Sequence, residues 1–466
     1  MIRCKRVLLI APPGRGDYGP PGYPHVGLAY VGAALLAAGV DVKAYDMRLD
    51  GDLMLLDKTI GEYKPDLVGV TTYTLEYLKS YNVVKHVKEN HNLPVVVGGP
   101  HASVICERIL KETDADYAIV GEGDNALPKL CLGAPLEDIE SLVYRRGSDV
   151  VANRRAAPIK DLDALPCPAY DLFPLERYDN KQIPIVSSRG CPYQCVYCSI
   201  KLTMSNIWRP RSPENVIGEL ESWYKRGYRN FQFTDDNFTL DEERTRRICD
   251  LIIEKKLDVR WDLRNGVRVD RVSRSLLKRM KEAGCFFVAF GIESGNQRIL
   301  NAMKKGITLP QVTAAVNAAK SVGLRTSGFF IIGTPEETFE TAMDSIKFAG
   351  TLPLDETRFY NAIPYPGTEF YGWVVEHGRF VTDAETYLNS MSHQRTAPVF
   401  ETKEFPLERR IEALKIASKF ANKRNYTVRF GFLWPAAYYL SSNDTLKSAG
   451  RRILSLARKV KGIVGT

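Results

Sequence analysis

The sequence predicts an α/β protein. A doubly wound parallel-sheet domain comes first, then six further βα units forming either a second open sheet or an incomplete barrel, then a mostly helical C-terminal region. Three observations predict this. Short β-branched runs alternate with helical stretches over residues 1–135, as in a sheet covered by helices on both faces. The alternation stops in a proline-rich stretch over 136–180 and returns at Ile183. The strand signal then fades beyond about residue 372. A chain of 466 residues suits two to four domains at a prior of about 150 residues each. With 44% hydrophobic and 26% charged residues, it can bury an ordinary core. That excludes a disordered tail, a collagen-like fibre and a small disulfide scaffold.

In the first domain (1–135) the expected strands are Arg6–Ile10, Val40–Asp46, Leu67–Thr71, Pro94–Gly98 and Tyr117–Val120. Helices are expected near Gly27–Ala38, Leu53–Tyr63, Glu76–Asn90, Ala102–Thr113 and Asp124–Leu132. Continuous runs such as Val95-Val96-Val97 suit parallel strands buried on both faces, so the domain reads as flavodoxin- or Rossmann-like. Any ligand belongs beyond the carboxyl ends of the strands. Those ends are glycine-rich: Gly14, Gly16, Gly19 and Gly22 follow the first strand, Gly98 and Gly99 the fourth, Gly121 and Gly123 the fifth. Glycines let backbone approach a large flat ligand, and they equally serve tight βα turns.

Residues 136–180 read as a linker, with a small hairpin around Tyr144–Asp149 and an extended path marked by Pro158, Pro166, Pro168 and Pro174. The second module (181–372) has expected strands Ile183–Ser188, Asn230–Thr234, Val259–Asn265, Phe286–Ile292, Arg325–Ile332 and Thr357–Ile363. Ser212-Pro213 is an N-cap followed by a first-turn proline. Gly227, Gly284 and Gly323 precede strands, where a left-handed helix cap is needed. Residues 373–466 form a helical, basic C-terminal region.

The N-terminal Met-Ile-Arg-Cys-Lys-Arg leads straight into a strand, unlike a signal peptide. No run of eighteen apolar residues occurs, so a spanning helix is not expected and the chain reads as cytoplasmic. The formal charge of +9 belongs to residues 401–466, which hold 14 Lys and Arg against 5 Asp and Glu. The first 400 residues are neutral. A nucleic-acid binder would spread its charge over the working domains, so no nucleic acid is expected as a partner.

Nine cysteines occur, and an odd count in a cytosolic chain argues against a disulfide framework. Cys4, Cys106, Cys131, Cys167, Cys249 and Cys285 are scattered and read as small buried hydrophobes. Cys191, Cys195 and Cys198 crowd into eight residues. A structural zinc site would want a fourth ligand, and none of the six histidines lies within 80 residues of the cluster. A thiol redox pair would leave the third cysteine redundant. Three cysteines without a fourth ligand suit a 4Fe–4S cluster with one iron open to a small molecule.

This loop, Gly190-Cys191-Pro192-Tyr193-Gln194-Cys195-Val196-Tyr197-Cys198, is a C-x3-C-x2-C run after the first strand of a six-unit βα module. With the aromatic Tyr197 before the last cysteine, it resembles the signature of radical S-adenosylmethionine (radical SAM) enzymes. The resemblance covers roughly residues 180–370 and implies an incomplete (β/α)6 TIM-like barrel. It also implies a 4Fe–4S cluster on Cys191, Cys195 and Cys198, and S-adenosylmethionine chelated to the open iron and cleaved to a 5′-deoxyadenosyl radical. An electron donor such as flavodoxin or ferredoxin follows as a partner. The remaining cofactor contacts fall on strand ends. Asp235, Asp236 and Asn237 end the second strand, with one Asp expected to hold the methionine ammonium. Arg264 or Arg268 ends the third, facing the carboxylate. Glu293 ends the fourth, facing ribose hydroxyls or the amino group, and Ile332 ends the fifth, its backbone along the adenine. All lie on one face, as in a barrel.

An N-terminal domain of this size ahead of such a barrel resembles the cobalamin-binding branch of the family. That branch includes methyltransferases and the anaerobic magnesium-protoporphyrin ester cyclase. Thr71-Thr72-Tyr73-Thr74-Leu75, Gly98-Gly99-Pro100-His101 and Gly121-Glu122-Gly123 match its loops over the corrin, making Thr72, Gly98, Gly99, Gly121 and Glu122 expected cobalamin contacts. The chain departs from domains carrying D-x-H-x-x-G: Asp46-Met47-Arg48-Leu49-Asp50-Gly51 has no histidine. The cobalt would therefore lack a protein imidazole unless His25 or His101 substitutes.

The resemblance implies cobalamin-dependent methylation of an unactivated carbon in a small-molecule or lipid substrate. A cobalamin-assisted cyclisation or rearrangement without methyl transfer is the alternative, and a cluster-carrying binding or sensor protein is the alternative of another class. Tyr360, Tyr365 and the Pro364–Thr368 turn read either as substrate pocket or as packing. The aromatic patch Phe430–Leu440 is followed by a basic stretch in which Leu446, Ala449, Ile453, Leu456, Val460 and Val464 recur at three and four. That stretch reads either as a peripheral membrane anchor or as a packed helix with a solvated face.

Overall fold

The strand Leu67–Thr71 is buried at every position, because it lies inside a sheet with chain on both faces. In the computed structural model, residues 3–14, 21–178, 182–390 and 397–430 are described. The first sheet comprises β1 (Arg6–Ala11), β2 (Asp41–Asp46), β3 (Leu67–Thr71), β4 (Val95–Gly98), β5 (Tyr117–Ile119), β6 (Leu142–Arg146) and β7 (Asp149–Ala152). Their order is β2-β1-β3-β4-β5-β6-β7. The first five run parallel and the last two antiparallel. The strand order reverses between β1 and β3, the switch point where a doubly wound sheet opens a crevice. The hairpin expected in the linker is therefore not a free connector. Tyr144 pairs with Tyr117, and the hairpin extends the sheet at its β5 edge.

The second sheet comprises β8 (Ile183–Ile185), β9 (Asn230–Phe233), β10 (Arg260–Val267), β11 (Cys285–Glu293), β12 (Arg325–Ile332) and β13 (Glu356–Asn361). All six are parallel and neighbour one another in chain order. The outer edges of β8 and β13 are not paired with each other, so the six-unit module is open rather than closed. Period-two alternation decides its faces. Phe330 of β12 stacks on Phe359 of β13 with ring centroids 4.9 Å apart, on the helix-covered side. Phe329, Ile331 and Tyr360 point to the opposite, inner side, where they line a cavity. The helices between these strands follow the expected grammar. Ser212 accepts the N–H of Asn215 at the start of Pro213–Lys225, and Gly284 (φ +92°) precedes β11 with its Cα so close to the Val259 carbonyl that a Cβ would sit 2.0 Å from it.

One core runs through both modules. Leu9 and Val42 of the first sheet, Tyr170, Phe173 and Tyr178 of the connector, and Phe231 and Trp261 of the second belong to one buried apolar cluster. The connector is thus packed rather than loose, and the Tyr170 hydroxyl donates to the Pro184 carbonyl at 2.9 Å. Beyond β13 the described residues are helical over Glu369–His377, Ala384–Leu388 and Leu407–Phe430, with a short antiparallel pair, Gly378–Phe380 against Phe400–Thr402. The last helix lays Ala413, Leu414 and Ala417 against Ile332 and Ile346. No helix among the described residues is long and apolar enough to cross a membrane. The expected anchor at 430–464 lies outside the described residues, apart from the backbone of Phe430.

Candidate active site

The three clustered cysteines sit on the loop leaving β8. Gly190 opens that loop at φ +82°, and a Cβ there would meet the Ile207 carbonyl oxygen at 2.3 Å, so only glycine lets the backbone pass. Cys195 is buried, whereas Cys191 and Cys198 are half-buried. The Cys198 N–H returns to the Cys195 carbonyl at 3.1 Å, which curls the loop. Burial pushes the Cys198 thiol up to about 11 and raises that of Cys191 as well. The three sulfurs do not draw within 4.8 Å of one another, since the one ligand group of that span among the described residues lies elsewhere. A single zinc with bonds near 2.3 Å would need sulfurs about 3.8 Å apart. Three thiols on one curled loop without a fourth Cys or His suit a 4Fe–4S cluster with one open iron.

The loop is clamped from β10 and its flank. Arg268 lies over the Tyr193 ring at 3.5 Å, ion-paired to Asp270 and donating to the Lys305 carbonyl at 2.8 Å. Arg271 donates to the Tyr193 hydroxyl at 2.6 Å. The sequence left Arg264 and Arg268 equivalent; in the structure they are not. Arg264 is bound to Asp262 at 2.9 Å and stacked over Phe287 on the inner face, away from Tyr193. Glu293 ends β11 with a left-handed φ of 69°. It pairs with buried Lys305 at 2.8 Å, and Lys305 reaches the Tyr197 hydroxyl at 3.3 Å. Lys305 escaped notice in the sequence because nothing local marks it.

Asp235 corrects an expectation. Its oxygens accept the Ser187 N–H (3.2 Å), the Ser187 hydroxyl (2.8 Å) and the Ser188 hydroxyl (2.5 Å). It is buried and serves to hold the strand that enters the cysteine loop, so it does not present an open carboxylate. Asp236 is the one left facing a cavity. Its enclosure by protein pushes its carboxyl up to about 6, against the Gly190 N–H that favours the charged form. Asn237 is buried with neither amide atom partnered among the described residues. Ile332 turns its side chain outward into the core under the last helix, and its carbonyl accepts the Ala362 N–H at 2.9 Å.

A cavity of about 490 Å³ separates the carboxyl ends of the first sheet from the cysteine-loop side of the second. Gly98, Gly99 and Gly121 line it from one side, and Arg189, Asp236 and Asn265 from the other. A Cβ on Gly99 would stand 2.8 Å from Thr71 Oγ1 and 2.9 Å from the Thr72 carbonyl, which is a tight turn rather than a bare cradle. Thr72 itself is fully buried. Its hydroxyl donates to the Gly98 carbonyl (2.8 Å) and accepts the Ala102 N–H (3.2 Å), so it fastens the turn while Thr71 and Tyr73 face the cavity. Glu122 lines the same cavity and also joins the two modules. One oxygen meets Arg189 (2.7 Å), and the other meets Arg209 (2.7 Å) and the Ile159 N–H (2.9 Å). The carboxylate is an intermodule clamp set in the wall of that cavity.

Neither candidate histidine offers the large cavity a free ring nitrogen. His25 accepts the Leu28 N–H on Nδ1 (3.1 Å), capping Val26–Ala37, and its Nε2 meets the Tyr73 hydroxyl at 2.6 Å. Burial, aided by Arg48, pushes it down to about 3, so it stays neutral. His101 stacks on Tyr77 at 4.5 Å and meets the Tyr81 hydroxyl at 3.1 Å, outside the large cavity. Arg48 is paired with Asp46 at 2.6 Å, and Asp46 also accepts the Tyr178 hydroxyl at 2.7 Å. A second cavity of about 320 Å³ adjoins the cysteine loop, lined by Leu75, Tyr197, Glu293, Phe329, Thr334 and Tyr360 among others.

The Radical SAM superfamily pattern matches residues 185–349, and the B12 binding domain pattern matches residues 21–131. A Pyrococcus horikoshii protein named uncharacterized methyltransferase PH0819 is 36% identical over 435 residues, covering 89% of this chain and 92% of that one. The chain belongs to the radical SAM superfamily, in the branch with a B12-binding domain in front.

This radical SAM protein is also 29% identical to the anaerobic magnesium-protoporphyrin IX monomethyl ester cyclase of Rubrivivax gelatinosus, over 70% of this chain and 62% of that one. Its fold is shared with the radical SAM methyltransferase TsrM from Kitasatospora setae (TM-score 0.70, 20% identity, 81% of this chain and 75% of that one). It is shared too with the cobalamin-dependent radical SAM enzyme OxsB (TM-score 0.66, 15% identity, 98% and 71%). The family implies a 4Fe–4S cluster, S-adenosylmethionine and cobalamin. The three thiols on the curled loop suit the first. The cavity beside them, with Glu293 and the unpartnered buried hydroxyl of Thr334, suits the second. The glycine-lined cavity between the sheets suits the third.

Proposed function

We propose that this radical SAM protein is a cobalamin-dependent methyltransferase acting on an unactivated carbon of a small-molecule or lipid substrate. One observation carries the reading: the 490 Å³ cavity is lined jointly by the front sheet's carboxyl ends and by Asp236 and Asn265. A ligand held by the front domain would thus face the cysteine-loop side of the second. When bound, the cluster with S-adenosylmethionine supplies a 5′-deoxyadenosyl radical, and cobalamin supplies a methyl group. In this reading Cys191, Cys195 and Cys198 hold the cluster, Asp236 holds the methionine ammonium, and Glu293, kept in place by Lys305, receives the ribose. The apolar wall of Phe329, Ile331, Tyr360 and Phe370 receives the substrate and excludes water. The name of the Pyrococcus horikoshii relative supports methyl transfer; that of the Rubrivivax gelatinosus relative supports the cyclising alternative.

The test uses anaerobically reconstituted protein with hydroxocobalamin, a reductant, methyl-deuterated S-adenosylmethionine and a small-molecule extract of the source cells. Methyl transfer yields 5′-deoxyadenosine and S-adenosylhomocysteine together, with label in a product. 5′-Deoxyadenosine without S-adenosylhomocysteine would favour cyclisation or rearrangement, and neither product would leave a binding role. The electron donor in this reading is a flavodoxin or ferredoxin. Membrane contact through residues 446–464 rests on their sequence pattern, and flotation with anionic liposomes at low and high salt tests it.

A further inference from the structure

Two helices on one face of the first sheet, Leu53–Tyr63 and Tyr77–His91, share a core built from Leu56, Ile60, Val83, Val84 and Val87. At its far end three side chains converge. His86 Nε2 lies 2.7 Å and His91 Nε2 2.6 Å from the same oxygen, Oδ1 of Asp57. The ligand atoms of all three lie within 4.8 Å of one another. Residues five apart on a helix point about 140° away from each other, so this convergence is not a by-product of the helical repeat. His91 closes the helix, Asn92 turns left-handed at φ +49°, and the two rings meet only because Asp57 stands between them. The rings are 19% and 20% exposed and Asp57 is 40% exposed, so solvent and ions can reach the group.

We propose that Asp57, His86 and His91 form a binding site for a divalent transition-metal ion of zinc's class, unconnected with the cysteine loop and independent of the methyl-transfer reading. Two imidazole nitrogens and one carboxylate oxygen are a borderline-hard donor set. It suits Zn²⁺ better than Ca²⁺ or Mg²⁺, which want all-oxygen shells. Bonds of about 2.0–2.2 Å require the carboxylate to draw back slightly from the two rings, and water completes the shell. The Asn90 amide stands 3.3 Å from His86 Nδ1 and 2.9 Å from the His86 carbonyl. Metal on Nε2 moves the ring proton to Nδ1, and a half-turn of that amide offers it an acceptor at the cost of the second bond. The bound ion would staple the second helix, whose N-terminal end follows the Tyr73 loop, to its neighbour.

Cluster-loaded full-length protein, desalted and titrated anaerobically with zinc sulfate, tests this. The expected result is one zinc per chain beyond the cluster iron and a zinc-dependent rise in the thermal midpoint. In His86→Gln and His91→Gln, zinc affinity falls by at least about tenfold and the thermal rise disappears, with iron content as in the wild type. Asp57→Asn decides the matter if either histidine variant fails to fold. Wild-type protein that takes up no zinc, or variants that take it up as tightly as wild type, would overturn the proposal.

Discussion

Arg189 and Glu122 form an ion pair that joins the two modules, Nη1 to Oε1 at 2.7 Å with both side chains under one-tenth exposed. Arg209 takes the other oxygen at 2.7 Å, and Asp124 takes a second contact from Arg189 at 3.0 Å. Arg189 immediately precedes the glycine that opens the cysteine loop, so the front domain is tied to the cluster loop through a buried charge network. Removing one partner leaves the others buried without their counter-charge. We expect Glu122→Gln to cost about 3–5 kcal/mol in urea unfolding and to lower cluster occupancy. Unchanged stability and iron content would mean that the network is dispensable.

Cluster loss should be all-or-none. Cys195→Ala leaves two thiolates, too few to fix a 4Fe–4S cluster. The variant should lack the brown absorbance and all S-adenosylmethionine cleavage while unfolding at a temperature near that of the cluster-free wild type. A reconstituted variant with wild-type iron and full cleavage would refute the ligand assignment.

Cobalamin should bind without a protein imidazole. His25 is neutral and engaged at both nitrogens by Leu28 and Tyr73, and His101 lies outside the large cavity. The Co(II) resonance spectrum of the loaded protein should carry no nitrogen splitting from a lower ligand. A three-line splitting that vanishes in His25→Ala or His101→Ala would reverse this.

Glu337 should make stability fall as pH rises. It is fully buried, accepting the Gly333 and Thr334 N–H groups near the Arg410 guanidinium. Burial dominates and pushes its carboxyl from 4.5 up to about 7. The folded state therefore holds the proton more tightly than the unfolded chain. The stabilisation is complete below about pH 4.5 and is lost as pH rises through about 7. Glu337→Gln should abolish that component, which is up to about 3 kcal/mol, and gain on the wild type at pH 8. Parallel pH profiles for the two proteins in thermal unfolding would exclude it.

The strands, most helices and the cysteine loop were legible in the sequence, because periodicity, capping residues and ligand spacing are local properties. Leu67–Thr71 was read at its observed bounds, whereas Ala102–Thr113 is broken into Pro100–Ile105 and Arg108–Glu112 by Cys106 at φ +52°. Family membership was legible for the same reason, since C-x3-C-x2-C is a spacing. The roles of adjacent charged residues were not. Asp235 and Asp236 look alike in sequence, yet one is spent on Ser187 and Ser188 and the other faces the cavity. Arg264 and Arg268 part company because only one reaches Tyr193.

What the sequence determined by itself was which segments form strands and helices and which loop carries the chemistry. Only the tertiary structure decided that Glu122 is a clamp, that Lys305 backs Glu293, that Arg410 supports the loop after β12, and that Asp57 gathers two histidines. The physical reason is distance along the chain. Glu122 meets Arg189 across 67 residues and Arg410 meets Gly333 across 77. Whether a polar side chain faces a cavity or a partner is settled by whatever the fold brings against it, which no local pattern encodes.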